Sequence, residues 1–222
     1  MFGLWGQRSL YSIALREYDS VRRLEKLDGG LVKARIKGLV VRIGLISDTH
    51  IPATMSKLPE QVKEVFHQVD LILHAGDLDI LEVLDWLGDI APVLVARGYG
   101  DPAPPQESRI KLRHMLKVGN LTIGLIHNLG FPTTPIRISD RLIFPPVPLA
   151  PVLERTFGSA VDVVVFGDSH EPAIVRHQGI LFVNPGSATI PSLTRKESPL
   201  GTLGLLEIGE NTAFAHLISR QL

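Results

Sequence analysis

Acidic and imidazole side chains follow several apolar runs of strand length in this sequence. Asp48 and His50 come after the run VRIGLIS, and Asp168 and His170 close the run VDVVVFGDSH. The members of each pair are two residues apart, so in an extended chain they point to the same side. Imidazole nitrogens mixed with carboxylate oxygens suit Mn, Fe, Zn, Co or Ni better than Ca²⁺, which prefers oxygen alone. These residue types therefore predict a transition-metal site.

Two further strand-end residues complete the candidate site. Asp77 ends the run DLILHAGD, and His127 ends LTIGLIH. Ligand sites in open α/β sheets form outside the carboxyl ends of the strands, so residues far apart in sequence can share one pocket. The predicted metal ligands are Asp48, His50, Asp77, His127, Asp168 and His170. The remaining histidines are interpreted as structural: His74 as a buried hydrogen-bonding residue, and His67, His114, His177 and His216 as parts of helix or strand bodies.

Strand and helix patterns alternate in the first part of the chain after residue 40. Strands are predicted at 41–47, 70–77 and 91–98, with helices at 58–68 and 80–87 between them. This alternation is typical of a parallel sheet with helices on its faces. It would bring the ends of the strands, and hence the acidic residues, to one edge of the sheet.

The second half of the chain reads as strands joined by tight turns. The predicted strands are 121–127, 161–170, 172–177 and 179–187, with a closing antiparallel pair at 202–208 and 212–218. Between them lies a Pro-rich stretch, 131–151, which is long for a loop. We predict it to be irregular and to lie beside the metal pocket, where it would shape substrate access. A rigid surface loop is the alternative.

Composition indicates a globular protein with one large domain. The chain has 222 residues, of which 45% are hydrophobic and 21% charged, far from a disordered composition. The absence of cysteine excludes disulfides, thiolate zinc sites and cysteine nucleophiles, and it fits a reducing compartment. No apolar run approaches the ~20 residues of a membrane helix. We expect no membrane partner and a cytoplasmic location.

Charge divides the chain into two parts. The 23 basic and 23 acidic residues cancel overall, but residues 1–40 carry 8 basic and 4 acidic side chains, which leaves 15 and 19 for the rest. Apolar residues between about Ser9 and Asp28 recur at roughly helical intervals. We therefore predict a basic helical extension over 1–40 and the main domain over 41–222. The acidic main domain has no strong nucleic-acid signal, which weakens a nuclease hypothesis.

The motifs together resemble the calcineurin-like metallophosphoesterases. The segments that carry the resemblance are Asp48-Thr49-His50, Gly76-Asp77, Gly98-Tyr99-Gly100-Asp101, His127, Gly167-Asp168-Ser169-His170 and Asn184-Pro185-Gly186-Ser187. They look most like the small bacterial and archaeal phosphodiesterase branch, which also includes the eukaryotic retromer subunit of the same fold. The resemblance covers about residues 41–220. It implies an α/β fold, a four-layer α/β/β/α sandwich of two mixed sheets flanked by helices.

The resemblance also implies the roles of individual residues. One cation would be held by Asp48, His50, Asp77 and His170, all of which match the family pattern. Asp77 would bridge to a second cation held by His127. At this second position Tyr99 replaces the usual Asn and Asp168 replaces the usual His, so one metal position is intact and one altered. Gly100 stands where relatives have the leaving-group acid.

The implied function is a metal-dependent phosphoesterase that acts on phosphate-ester small molecules, with diesters as the favoured class. A metal-activated water would attack in line without a covalent protein intermediate. One or two divalent ions are expected, with Mn²⁺ first and Fe, Zn, Ni or Co as alternatives, and Asp168 would make the second position harder. Asp101 would orient a ligand without touching the metal. Tyr99 would be a poor ligand and would instead narrow the pocket or stack on the substrate.

A second hypothesis belongs to another functional class. The replacements at Tyr99, Gly100 and Asp168 are also compatible with a catalytically degenerate member that serves as a binding scaffold, as the retromer-like relatives imply. The natural substrate, the number of metals and a homodimeric state are left open by the sequence.

Overall fold

Two β-sheets pack face to face, and helices cover both outer faces. The computed structural model describes residues 24–26, 32–34, 40–102, 107–130, 132–139, 141–193 and 201–219. The helices are α1 Glu60–Phe66, α2 Leu81–Gly88 and α3 Ala150–Phe157. The strands are β1 Leu24–Lys26, β2 Val32–Ala34, β3 Val41–Ile46, β4 Leu71–His74, β5 Val93–Ala96, β6 Ile110–Lys111, β7 Arg113–Val118, β8 Leu121–Ile126, β9 Arg137–Ile138, β10 Leu142–Ile143, β11 Val163–Val165, β12 Ala173–His177, β13 Ile180–Asn184, β14 Thr202–Ile208 and β15 Ala213–Ser219.

The first sheet has six strands in the order β15-β14-β3-β4-β5-β6. Strands β3 to β6 run parallel, and β14 and β15 extend the sheet antiparallel. Helices α1 and α2 connect the parallel strands, and their buried residues Phe66 and Leu84 pack on the outer face of this sheet with Ile72. The predicted alternation of strands and helices, and the closing antiparallel pair, are confirmed.

The second sheet has seven strands in the order β1-β2-β7-β8-β11-β13-β12. Its centre is parallel, because β8, β11 and β13 run the same way, while β7 and β12 flank them antiparallel. Helix α3 covers the outer face, where Leu153 and Phe157 pack with Phe182. Strands β9 and β10 form a separate antiparallel pair.

The core between the sheets consists of alternate residues from both. Ile43 and Leu45 of β3 face Leu125, Val163 and Val165 of the second sheet in one fully buried cluster. Residues at the positions between them face the helices instead, so the central strands are apolar on both faces and read as continuous hydrophobic runs. The four-layer α/β/β/α sandwich predicted above is confirmed.

The Pro-rich stretch differs from its prediction. It is not irregular throughout, because it contains β9 and β10 and the first residues of α3, whose last turn ends at Gly158 with φ 84. Ile136 and Leu149 of the stretch are buried in the cluster under α3. The helix forms because Leu149, Leu153 and Phe157 recur every four residues and place one apolar stripe on the sheet. The four-residue spacing of these apolar residues was missed because its first part lies in proline-rich sequence.

The amino-terminal segment joins the second sheet at its edge. Strand β2 pairs parallel with β7, and β1 pairs with β2. The predicted helix over residues 9–28 is therefore wrong for Leu24–Lys26, which form a strand; the rest of that helix lies outside the described residues. The domain boundary at residue 40 stays a prediction. In the described part of the chain, no helix has the length and apolar character needed to span a membrane.

Candidate metal centre

The six side chains predicted as ligands meet at the carboxyl ends of four strands. Asp48 and His50 follow β3, Asp77 follows β4, His127 follows β8, and the segment after β11 supplies the remaining pair, Asp168 and His170. Both sheets thus contribute to one edge of the sandwich. The loops bring together residues that are up to 122 positions apart in sequence.

One group of possible ligand atoms comprises Asp48, His50 and His170. These atoms lie within 4.8 Å of one another. The Nε2 atoms of His50 and His170 are 3.2 Å apart, and His170 Nε2 is 3.6 Å from Asp48 Oδ1. Two imidazole nitrogens and a carboxylate oxygen thus converge on one point, an arrangement that suits a divalent transition metal.

A second group comprises Asp48, Asp77 and His127, again within 4.8 Å. The Asp77 Oδ2 atom lies 3.4 Å from His127 Nε2 and 3.6 Å from His50 Nε2. The Asp77 carboxylate therefore stands between a histidine of each group. Because the two groups share Asp48 and are joined by Asp77, the donors are arranged as two adjoining positions.

Asp168 and Tyr99 lie on the His127 side of the site. Asp168 Oδ1 is 3.5 Å from His127 Nε2, and the Asp168 backbone N–H donates to Asp48 Oδ1 at 3.2 Å. The backbone N–H of Tyr99 donates to Asp77 Oδ1 at 2.8 Å. Its ring meets the His127 ring edge-on, at 5.4 Å between centroids, and the residue is 74% exposed. Tyr99 thus borders the mouth of the pocket.

Left-handed backbone is concentrated at this site. Of the seven described non-glycine residues with positive φ, six belong to it: Asp48, His50, Asp77, Asp79, Asp168 and His170, with φ between 45° and 69°. This conformation is unfavourable for residues with a Cβ, although Asp and His tolerate it better than most. The strand ends therefore turn sharply so that successive ligand side chains face the same pocket.

Two glycines leave the space that the carboxylates occupy. A Cβ on Gly98 would overlap the Asp77 carboxylate and its backbone nitrogen. A Cβ on Gly167 would overlap Ser47 Oγ and lie 2.9 Å from Asp48 Oδ2. Gly98 and Gly167 are thus required because the carboxylates of Asp77 and Asp48 approach them closely.

Asp101 holds the loop that carries Asp77. Its carboxylate accepts four backbone N–H groups, from Asp77 and Gly98 through Oδ2 and from Leu78 and Asp79 through Oδ1, at 2.7–3.0 Å. Asp101 is 3% exposed. Although its oxygen atoms lie near those of Asp77 and Asp79, the four hydrogen bonds use its acceptor capacity. The orienting role of Asp101 stays a prediction, which these contacts support.

The sequence interpretation missed one acidic residue of the site, Asp79. Its Oδ2 lies 3.5 Å from Nδ1 of His50, on the opposite side of that ring from Asp77 and His170. The residue is partly buried and has φ 69. Its place two residues after Asp77 was a signal for it, because the same spacing led to the prediction of Asp48 with His50.

His127 presents one nitrogen to the site. Its Nδ1 lies 2.7 Å from the Ala75 carbonyl oxygen, which fixes Nδ1–H as the donor. Its Nε2 is buried and makes no hydrogen bond within the described residues. Burial lowers the pKa of His127, but the carboxylates of Asp77 and Asp48 outweigh it and raise the pKa to about 9. A cation that binds at His127 Nε2 would thus displace a proton from this atom.

Burial and neighbouring charge also shift the other candidate ligands. Burial raises the pKa of the Asp48 carboxyl to about 7, and its Oδ2 has no hydrogen-bond partner within the described part of the chain. Burial also raises the pKa of Asp168 and lowers that of His170, which His50 lowers further. Burial acts to raise the pKa of Asp77, but the His127 imidazole, 3.4 Å away, outweighs it and brings the pKa below the usual range.

This donor set fits a divalent cation. Two buried polar atoms, Asp48 Oδ2 and His127 Nε2, lack hydrogen bonds among the described residues, and buried polar atoms without a partner are costly in a protein interior. Carboxylates gathered this closely also repel one another, which a bound cation would relieve. Metal binding thus explains an arrangement that hydrogen bonding within the protein leaves incomplete.

The other histidines interact within the fold. His74 is buried, accepts the Gly76 N–H at Nδ1 and lies 3.3 Å from Thr49 Oγ1. His114 Nε2 is 2.9 Å from the Val95 carbonyl oxygen. Burial lowers the pKa of both to about 4, so both are neutral at pH 7. These contacts agree with their interpretation as structural residues.

Comparison with known sequences identifies a family match over most of the chain. Residues 41–211 match the calcineurin-like phosphoesterase superfamily domain. A probable metallophosphoesterase of Methanothermobacter thermautotrophicus is 36% identical over 157 residues, which are 68% of this chain and 80% of that relative. Residues 41–211 contain every side chain of the site described above.

Solved structures share the fold. Vacuolar protein sorting 29 from Cryptosporidium parvum superposes with a TM-score of 0.60 at 23% identity, over 82% of this chain and 99% of that one. A structure described as a novel archaeal phosphodiesterase matches with a TM-score of 0.53 at 18% identity, over 80% of this chain and all of that chain. At these identities the likeness concerns the fold alone.

Proposed function

Because this chain belongs to the calcineurin-like phosphoesterase superfamily, we propose that it is a divalent-metal-dependent phosphodiesterase acting on small phosphate esters. The family acts on phosphate esters, and its hydrolases use metal. The observation that carries the proposal is the convergence of six potential ligands around two buried atoms, Asp48 Oδ2 and His127 Nε2, that lack hydrogen bonds within the described structure. The choice of diesters is supported by the archaeal phosphodiesterase of the same fold.

The side chains divide between two cation positions. Asp48, His50 and His170 would hold one cation, with Asp77 as the ligand shared between both positions. His127 and Asp168 would complete the second position, which the closeness of Asp168 Oδ1 to His127 Nε2, 3.5 Å, supports. The first position has two imidazoles and the second has one, so the second is richer in oxygen and favours a harder cation such as Mn²⁺ or Mg²⁺. Mn²⁺ suits both cation positions, while Fe, Zn, Ni or Co suit the first position.

The cations, when bound, supply Lewis acidity that neutralises charge on the phosphate and lowers the pKa of a coordinated water. The chain's own residues prepare this chemistry. Asp101 fixes the turn that carries Asp77, and the Ala75 carbonyl fixes the tautomer and orientation of His127. Such supporting contacts commonly determine metal affinity almost as much as the ligands. Tyr99 borders the pocket and limits which substrate group can approach His127.

The proposal is tested by hydrolysis of bis(4-nitrophenyl) phosphate with added Mn²⁺ and after treatment with a chelator. We expect activity that requires metal and returns when Mn²⁺ is restored. Asp48→Asn should reduce both metal content and turnover at least about 100-fold, because a ligand loses its charge. Asp89→Asn, an exposed acid at the end of α2, is the matched control. Equal rates with and without metal would reject the proposal.

A scaffold role is the second candidate, and the residues at positions 99 and 168 favour it. Tyr99 and Asp168 stand where the resemblance implies Asn and His ligands, and vacuolar protein sorting 29 shares the fold. The double variant Tyr99→Asn, Asp168→His separates the two functions. A scaffold predicts that metal binding and hydrolysis rise from nothing in the variant. An enzyme adapted to its own ligands predicts a lower rate or a changed metal preference.

A further inference from the structure

A groove of about 460 Å³ lies on the outer face of the seven-stranded sheet, between β7, α3 and the segment that follows β8. It is lined by two arginines, three threonines and three apolar residues: Arg113, Arg155, Thr133, Thr134, Thr156, Pro132, Pro135 and Val152. Its volume falls in the range of small-molecule sites, ≈300–1,000 Å³. None of these residues belongs to the candidate metal centre.

The two arginines of the groove have no charged partner in the part of the chain that the structure describes. Both are exposed, and neither Arg113 nor Arg155 makes an ion pair or a side-chain hydrogen bond with another described residue. Arg42 and Arg109, by contrast, are each paired with a glutamate. Two guanidinium groups without a partner among the described residues, at one depression, are notable in a region, residues 41–222, that has 15 basic and 19 acidic side chains.

The hydroxyl groups of the groove differ in availability. Thr134 donates to the Leu129 carbonyl oxygen, and Thr156 donates to the Val152 carbonyl oxygen. Their Oγ1 protons are thus engaged in the fold. Thr133 is exposed, and its hydroxyl has no partner within the described residues. The groove therefore offers two guanidinium groups and one free hydroxyl, all of which are donors.

Strand register places the groove at the same edge of the sandwich as the metal centre. Arg113 pairs with Ile126 across β7 and β8, and Ile126 directly precedes His127. Paired Cα atoms are about 4.5–5.5 Å apart and consecutive ones 3.8 Å apart, so the Cα atoms of Arg113 and His127 lie within about 9 Å. Arg113 shares the outer face of β7 with Met115, which packs against the α3 cluster.

We infer that this groove is an oxyanion site that binds a phosphate group. Arginine presents a planar fork of N–H donors that matches the oxygen atoms of phosphate, and its charge is never lost near neutral pH. Both forks and the Thr133 hydroxyl line the same groove and are the donors that a phosphate would use. The phosphate is either free or a second, non-reacting phosphate of the substrate, and the two sources present the same chemistry to the arginines.

The binding test uses full-length protein from which metal has been removed, so that phosphate has no cation to bind. Inorganic phosphate is titrated while the Nε–Hε signals of Arg113 and Arg155 are followed by NMR. We expect saturable shifts at both, weakened at least about fivefold by Arg113→Gln or Arg155→Gln and abolished in the double variant. Lys63→Gln, the same charge change on α1, is the control. Absence of saturable shifts, or equal weakening by Lys63→Gln, overturns the site.

The source of the phosphate is identified with metal-loaded protein and two substrates that differ in one group. These are thymidine 5′-(4-nitrophenyl phosphate) and its 3′-phosphorylated counterpart. If the phosphate belongs to the substrate, kcat/KM favours the 3′-phosphorylated ester, and the double arginine variant loses that preference alone. If it is free phosphate, the preference is unchanged in the variant although phosphate binding is lost. If neither ester is hydrolysed, the proposed phosphodiesterase function is rejected, whereas the groove remains supported by the phosphate titration.

Discussion

The Asn128 side-chain N–H donates to the Tyr99 hydroxyl at 2.7 Å. This hydrogen bond joins the loop after β5, in one sheet, to the loop after β8, in the other. Tyr99 also meets the His127 ring edge-on. An exposed tyrosine would ordinarily sample several rotamers, but these two contacts restrain the ring beside the pocket. Tyr99 therefore acts as a fixed wall rather than a mobile surface side chain.

Tyr99→Phe tests this wall. The variant keeps the ring and loses the hydrogen bond to Asn128, so we expect KM for bis(4-nitrophenyl) phosphate to rise about two- to fivefold, the effect of one neutral hydrogen bond. Tyr99→Leu also removes the ring and should raise KM further. Unfolding free energy should change by less than about 0.5 kcal/mol in the phenylalanine variant, because the residue is exposed.

The matched control is Phe214→Leu on β15, an exposed aromatic residue of the six-stranded sheet that lies outside the metal centre. It should leave KM unchanged. If Tyr99→Leu behaves like this control in steady-state kinetics, Tyr99 does not border the substrate.

Asp101→Ala should be the most destabilising single change at the site. Four backbone N–H groups, including those of Asp77 and Gly98, would lose their common acceptor in a buried place. Hydrogen bonds to a charged group contribute about 1.5–3 kcal/mol each, although not additively, so we expect a loss of at least about 3 kcal/mol in unfolding free energy. Urea denaturation measures it.

Asp101→Asn removes the negative charge of this side chain but keeps its size and position in the loop. The amide keeps one acceptor oxygen, so it should restore part of the stability and part of the metal content. A metal content equal to that of the unaltered protein in Asp101→Ala would contradict the role assigned to this carboxylate.

The sequence pointed to the candidate ligands because each one lies a few residues after an apolar strand or directly after it. Strand ends in an α/β sandwich converge, so the position of Asp77 or His127 along the chain predicted its position in space. Asp79 was missed although it lies two residues after Asp77, because its approach to His50 depends on a turn with φ 69 that this spacing alone does not specify.

The elements that were missed have physical reasons as well. Strand β7 alternates polar and apolar residues and forms a hairpin with β8, which follows it directly, but its other partner, β2, lies far away in sequence. Helix α3 begins within proline-rich sequence, and its stability depends on packing against the sheet rather than on propensity. The Arg113–Arg155 groove combines β7 with α3, so it also required both elements to be in place.

Gly98→Ala should remove metal and destabilise the loop that carries Asp77, because the new Cβ would also overlap the Asp77 backbone nitrogen. The new Cβ would overlap the Asp77 carboxylate, so Asp77 must move away from the position between His50 and His127. We expect metal content to fall at least about tenfold, in the range seen when a ligand's supporting contact is lost. Elemental analysis measures it.

Gly88→Ala in α2 is the control for this substitution. Its Cβ would meet only Arg109, at 3.8 Å, and alanine favours a helix. Stability should therefore be unchanged or slightly raised, with full metal content. Equal metal content in the two alanine variants would show that Asp77 is not a ligand.

Metal affinity should increase with pH from 6 to 9. A cation competes with protons for Asp48, whose pKa burial raises to about 7, and for His127, whose pKa the neighbouring carboxylates raise to about 9. Below pH 7 both groups must release a proton on binding, and between pH 7 and 9 mainly His127 does, so affinity should rise nearly tenfold per pH unit for each proton released. Calorimetric titration with Mn²⁺ in two buffers of different ionisation enthalpy counts these protons. His127→Gln removes one of the two titrating groups, so its affinity should be lower and should depend less steeply on pH between 7 and 9. A pH dependence in this variant equal to that of the unaltered protein would exclude His127 as the proton-releasing ligand.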